Sequence, residues 1–144
     1  MRDKLGLFGE DKNDKKLIND LLNWMEKNKA DYTNTFCYLM NIIIGKSSLY
    51  DDKEFINWSN NWKNRIFINN NSKDKSIELM KKTNPIIIPR NHKVEEALKA
   101  ANENDLEVMN RLLSNLDNPY SEQKDIEDYQ LPSNNEGYQT FCGT

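Results

Sequence analysis

Histidine occurs once in these 144 residues, cysteine twice, proline four times and glycine five times. Each scarcity excludes a class of chemistry. One histidine and two cysteines, Cys37 and Cys142, 105 positions apart, make neither a zinc site nor a disulfide framework. The five glycines never fall into G-x-G-x-x-G or G-x-x-x-x-G-K, so no Gly-rich cradle for a phosphate is present. No apolar run approaches the roughly 18 residues of a spanning helix, and Met1-Arg-Asp-Lys4 has no apolar signal core behind it. The expectation is a soluble, cytoplasmic chain with no membrane partner. An excess of positive charge is missing as well: 20 Lys plus Arg stand against 23 Asp plus Glu, a net charge of −3. Nucleic acid is therefore not an expected partner.

Helical periodicity is abundant. After Asn13 or Asp14, either of which can serve as an N-cap, Leu17, Ile18, Leu21, Leu22, Trp24 and Met25 recur at three and four and predict a helix to about Asn28. Asp31 or Thr33 caps a second helix, whose stripe Phe36, Leu39, Met40, Ile43 and Ile44 ends at Gly45. These two form an αα-hairpin. Asp51 opens a third helix in which Phe55, Trp58, Trp62 and Ile66 share one face. Ser72 caps a short helix through Ile77, Leu79 and Met80 that stops before Pro85. Residues Asn84 to Asn91, clamped by Pro85 and Pro89 and rich in isoleucine, read as extended chain without a partner strand.

Asn91 caps a helix carrying Val94, Ala97, Leu98 and Ala101; a turn over 102–105 leads into another with Leu106, Met109, Leu112, Leu113 and Leu116, a second αα-hairpin. Beyond Pro119 the periodicity fails, and residues 119–144 hold one Lys against five acidic side chains. The expected fold is all-α, about six helices in two αα-hairpins with the tryptophan helix between them. The helical domain covers 1–118 and an extended acidic tail covers 119–144.

Candidate chemistry is sparse. The last hairpin has the outline of a DNA-reading helix-turn-helix, but residues 93–117 carry three positive against six negative side chains, which opposes phosphate contact. Glu95 and Glu96 are neighbours on a helix and point about 100° apart, so they read as a solvated face rather than an acid/base pair. His92 has no nucleophile placed near it by local sequence and reads as a polar contact at a helix start. Cys37 lies inside an apolar stripe and reads as a small buried residue, whereas Cys142 lies in the polar tail, where its thiol is available for exchange. No catalytic, cofactor-binding or metal-binding residue is assigned.

Five blocks carry a further signal: Met1-Arg-Asp-Lys-Leu-Gly-Leu7, Ala30-Asp-Tyr-Thr-Asn-Thr-Phe36, Asn84-Pro-Ile-Ile-Ile-Pro-Arg-Asn-His-Lys-Val-Glu-Glu-Ala-Leu98, Asn118-Pro-Tyr-Ser-Glu122 and Phe141-Cys-Gly-Thr144. In this order they resemble the C-terminal third of the selenoprotein O/YdiU family. The resemblance implies a parent with a kinase-like, pseudokinase-type fold that uses ATP and magnesium to transfer AMP to protein hydroxyls. The family's catalytic Lys, Glu, Asn and metal-binding Asp lie upstream of the matched region, so none is carried onto this chain, which is expected to be inactive by itself and to partner the kinase-like domain of its own full-length protein. Many members end in Cys-x-x-Sec or Cys-x-x-Cys, whereas Cys142-Gly143-Thr144 lacks the second redox atom. The resemblance implies that Cys142 is a regulatory thiol, tied in bacterial relatives to a cysteine in the activation segment. The alternative is a free-standing helical interaction module from a truncated gene.

Overall fold

The computed structural model describes residues 1–42, 48–68 and 73–133. Among them are seven α-helices and no strand: α1 (Asp14–Lys27), α2 (Tyr32–Leu39), α3 (Lys53–Phe67), α4 (Lys73–Thr83), α5 (Asn91–Asn102), α6 (Glu107–Leu116) and α7 (Glu127–Gln130), with 3₁₀ turns at Asp3–Leu5 and Ser48–Asp51. The all-α expectation holds. Ile43, Ile44, Gly45 and Ser72, expected as stripe, stop and cap residues, lie outside the described residues, but α2 ends at Leu39, short of the expected stop, and Asn41 takes a left-handed conformation at φ +59°. The chain divides into two compact units, Met1–Pro85 and Ile86–Thr144.

In the first unit α1 packs antiparallel on α3, not on α2 as the expected first αα-hairpin required. Leu21, Trp24 and Met25 of α1 meet the face Phe55, Trp58, Trp62 and Ile66 of α3, all buried. Trp58 and Trp62 stack at 6.0 Å with 5° between their planes, and Trp24 lies 4.5 Å from Phe55. Each indole N–H finds an acceptor: Trp62 Nε1 donates to the Leu5 carbonyl at 2.8 Å, Trp58 Nε1 to the Leu17 carbonyl at 2.8 Å, and Trp24 Nε1 to the Asp52 carboxylate at 2.7 Å. A buried indole without such an acceptor would carry the desolvation cost of an unmade bond.

The caps refine the sequence reading. Asp31 caps α2, accepting from Asn34 N at 2.8 Å. The cap of α3 is Asp52 rather than Asp51: its carboxylate accepts from Phe55 N at 3.1 Å, while Asp51 belongs to the preceding 3₁₀ turn. Asn13 occupies the N-cap position of α1 but its side chain caps nothing. The first seven residues, to which no periodicity assigns a core role, are part of the core: Leu5 and Leu7 are buried, and the turn containing Leu5 packs on α4. Gly6 makes this approach possible. Its φ is +64°, and a Cβ there would stand 2.6 Å from the Ser76 carbonyl oxygen.

In the second unit α5 and α6 form the expected hairpin. Asn91 does not cap α5; it is the first helical residue, and Arg90, extended at φ −70° and ψ 133°, takes the N-cap position without a side-chain bond to the helix end. The Arg90 carbonyl accepts instead from Lys93 N and Val94 N. The Ile86–Ile87 stretch is extended and buried, with no partner strand among the described residues: Ile86 N donates to the Pro119 carbonyl at 2.7 Å, and Gln130 Nε2 donates to the Ile86 carbonyl at 3.2 Å. That second bond ties part of the expected tail into this unit, since Ile126 and Gln130 are buried and residues 127–130 form α7.

Candidate functional site

His92, at the start of α5, is half-buried. Desolvation, then the charges of Lys93 and Arg90, hold its pKa below the usual imidazole range against an opposing pull from Glu96. That direction favours the neutral imidazole, but among the described residues no carboxylate, hydroxyl or thiol is hydrogen-bonded to it. A relay of the kind a general base needs is not assembled there. Glu95 and Glu96 are exposed, and Glu96 accepts from Lys93 at 3.2 Å. Cys37 is fully buried, its thiol turned to the Pro85 carbonyl at 3.8 Å. Cys142 lies outside the described residues. Among the described residues no group of three or more His, Cys, Asp or Glu side chains is placed to hold a metal ion. No helix among them is long and apolar enough to cross a membrane. The magnesium ion implied by the resemblance therefore has no ligand set to fit among these residues.

What the structure does assemble is a polar system running along the α1–α3 seam. At one end Arg65 is buried and grips Asp14, with Nε to Oδ1 at 2.6 Å and Nη2 to Oδ2 at 3.0 Å. Arg65 also reaches the Phe8 carbonyl at 3.1 Å, and Arg2 Nε lies 3.5 Å from Asp14 Oδ2. Burial by itself pushes the Asp14 carboxyl up. The Arg65 hydrogen bond, the Asp11 amide and the charges of Arg65 and Arg2 outweigh it and hold the group below the usual carboxylate range. Local sequence marks Asp14 only as a possible cap, because nothing in a helical pattern announces a partner 51 residues away.

At the other end of the seam Lys27 Nζ meets both oxygens of Glu54 at 2.8 Å. An open groove of about 410 Å³ follows the same helices. Its walls are Asp20, Asn23 and Lys27 on α1 and Glu54, Asn57 and Asn61 on α3, each set spaced i, i+3, i+7. Its floor is Trp24 and Trp58. The charged wall residues are engaged: Asp20 by Lys16 at 2.6 Å, Lys27 and Glu54 by each other. The three asparagine side chains make no hydrogen bond among the described residues.

The family described as "Protein adenylyltransferase SelO" matches residues 1–117. A protein of Pelagibacter ubique strain HTCC1062 named "Protein nucleotidyltransferase YdiU" is 53% identical over 146 aligned positions, which cover 100% of this chain and 30% of the relative. Proteins of the same name from Bacillus cereus strain G9842 and Bacillus thuringiensis strain Al Hakam are each 48% identical over 147 positions, with the same coverage. The chain thus spans 30% of the length of these curated relatives.

Proposed function

Since this chain belongs to the protein adenylyltransferase SelO family, we propose that it is the non-catalytic helical region of such a protein and supports a kinase-like portion that carries out AMP transfer from ATP to protein hydroxyls. The observation that carries this reading is the pairing of two facts. The whole chain aligns with 30% of each relative, and the described residues contain no metal-ligand group and no His92 relay. Phosphoryl and nucleotidyl transfer depend on positioned cations around the phosphates, and in this reading the rest of the protein would supply the residues that hold the nucleotide and its magnesium. The role left to this region is mechanical: a helical body with a buried tryptophan face and an internally paired Asp14–Arg65 seam.

Cys142 extends the proposal to regulation. Joined to a cysteine of the kinase-like portion, it would gate activity: the two thiols lose two protons and two electrons to a disulfide oxidant of the glutathione class and form one S–S bond, which a dithiol reductant reverses. Support comes from the family resemblance of the Phe141-Cys-Gly-Thr144 ending. Calorimetric titration of the 144-residue chain with millimolar ATP and magnesium tests the central part of the reading: no saturable binding is expected, and stoichiometric binding would place nucleotide chemistry on this chain and end the proposal.

A further inference from the structure

We infer that Trp24 and Asp52 form a proton-coupled, one-electron redox site, which takes an oxidising equivalent from the Trp58–Trp62 stack and passes it to Tyr38 at the surface. The substrate class is a one-electron oxidant of the free-radical type, and the inference is independent of the AMP-transfer reading.

Six aromatic rings of the first unit form an unbroken series. Trp62 and Trp58 stack at 6.0 Å; Phe55 follows Trp58 at 5.7 Å, Trp24 follows Phe55 at 4.5 Å, Tyr50 follows Trp24 at 6.0 Å and Tyr38 follows Tyr50 at 4.0 Å, this last pair stacked with 17° between its planes. Five of these rings are buried, and Tyr38 alone is exposed, at 44%. Indole and phenol give up a single electron far more readily than a benzene ring, so Phe55 bridges two tryptophans rather than holding the charge itself.

What separates the three indoles is the acceptor of each N–H. A one-electron-oxidised indole is a cation whose N–H is strongly acidic, and the oxidation settles where a base takes that proton. Trp62 and Trp58 donate to the backbone carbonyls of Leu5 and Leu17, each at 2.8 Å; an amide oxygen accepts the hydrogen bond but is far too weak a base to keep the proton. Trp24 donates to the Asp52 carboxylate at 2.7 Å. The bonds from Trp24 and from the Phe55 amide hold Asp52 below the usual carboxylate range, so the proton stays on the indole until an electron leaves it. Oxidation of Trp62 or Trp58 therefore runs downhill to Trp24.

Electrons and protons balance along this path. The oxidant takes one electron from Trp62 or Trp58, Trp24 supplies an electron to refill that ring, and the Trp24 N–H proton passes to Asp52, leaving a neutral indolyl radical. One electron from Tyr38, relayed through Tyr50, then reduces the indolyl; the Asp52 proton returns to Nε1, and the Tyr38 hydroxyl releases its own proton to water, leaving a phenoxyl radical. Tyr50 is no resting place for the oxidation, because it is buried and its hydroxyl faces the Thr35 hydroxyl at 3.3 Å, which is not a base.

The test is pulse radiolysis of the 144-residue chain with azide radical as the one-electron oxidant, followed by the optical absorption of the radicals. The expected result is a neutral indolyl signal that decays as a phenoxyl signal grows, at a rate independent of protein concentration. Tyr38→Phe should lose that phenoxyl growth, whereas Tyr32→Phe, at a tyrosine that is also 44% exposed, should keep it. Asp52→Asn preserves a cap for α3 and an oxygen for the indole but removes the base, so the indole radical cation should persist in place of the neutral indolyl. The thermal midpoint of each variant reports whether the fold is intact. Undiminished phenoxyl growth in Tyr38→Phe, a neutral indolyl in folded Asp52→Asn, or the absence of the concentration-independent phase in the wild type would each overturn the inference.

Discussion

Arg65 Nε stands 2.6 Å from Asp14 Oδ1, with the two side chains 6% and 7% exposed, so α1 and α3 are joined by a charge pair that water scarcely reaches. A pair in this setting is held together by its geometry and by the further bond from Arg65 to the Phe8 carbonyl. Removing one partner is costly because the other is left buried and uncompensated.

Asp14→Asn should therefore destabilise the chain by about 3–5 kcal/mol, while Asp14→Leu combined with Arg65→Met should recover much of that loss. Urea denaturation of the three proteins checks this. The same pair sets a pH dependence. The folded-state pKa of Asp14 lies below the ordinary carboxylate value of 3.8, so its contribution is present above the unfolded pKa and is lost as pH falls through the lower folded value. The difference in stability between the wild type and Asp14→Asn should narrow progressively below about pH 4.

Trp62 is 4% exposed and stacks on Trp58. Trp62→Ala should cost about 3–5 kcal/mol. Trp62→Phe keeps most of the packing but leaves the Leu5 carbonyl without its donor, and should cost about 1–3 kcal/mol. A denaturation midpoint equal to wild type for Trp62→Ala would contradict the packing of α3.

The helices themselves are legible in the sequence because their information is local: Phe55, Trp58, Trp62 and Ile66 announce a face through spacing alone, and Asp31 announces a cap. What spacing does not carry is non-local. Asp14 looks like a cap until Arg65, 51 residues on, is brought against it. Leu5 and Leu7 sit in a stretch too short for periodicity to register, yet they are core because Gly6 allows the backbone to press against Ser76. Ile126 and Gln130 lie in a segment whose acidity reads as tail, and only the Ile86 carbonyl reveals their place. The asparagine walls are hidden for a related reason: Asn23, Asn57 and Asn61 look like ordinary polar helix residues until α1 and α3 are set side by side.

Cys37 and Cys142 should separate by thiol chemistry. Cys37 is fully buried, so its modification by a thiol reagent should proceed only through opening of the fold and be slowed by about a thousandfold or more relative to a free thiol. Cys142 should react at the rate of an exposed cysteine. Mass spectrometry of the timed reaction assigns each site, and comparable native-state rates would contradict the assignment.

Support by this region for chemistry performed elsewhere in the protein is tested most directly by AMP incorporation into protein from labelled ATP. Three preparations are compared: this chain alone, the remainder of the Pelagibacter ubique relative alone, and the two joined as one polypeptide. The predicted result is no transfer by this chain, weak or unstable transfer by the remainder, and restored transfer by the joined protein that changes on reduction only when Cys142 is present. Transfer by the isolated chain, or a remainder as stable and active without this region as with it, would contradict the proposed role.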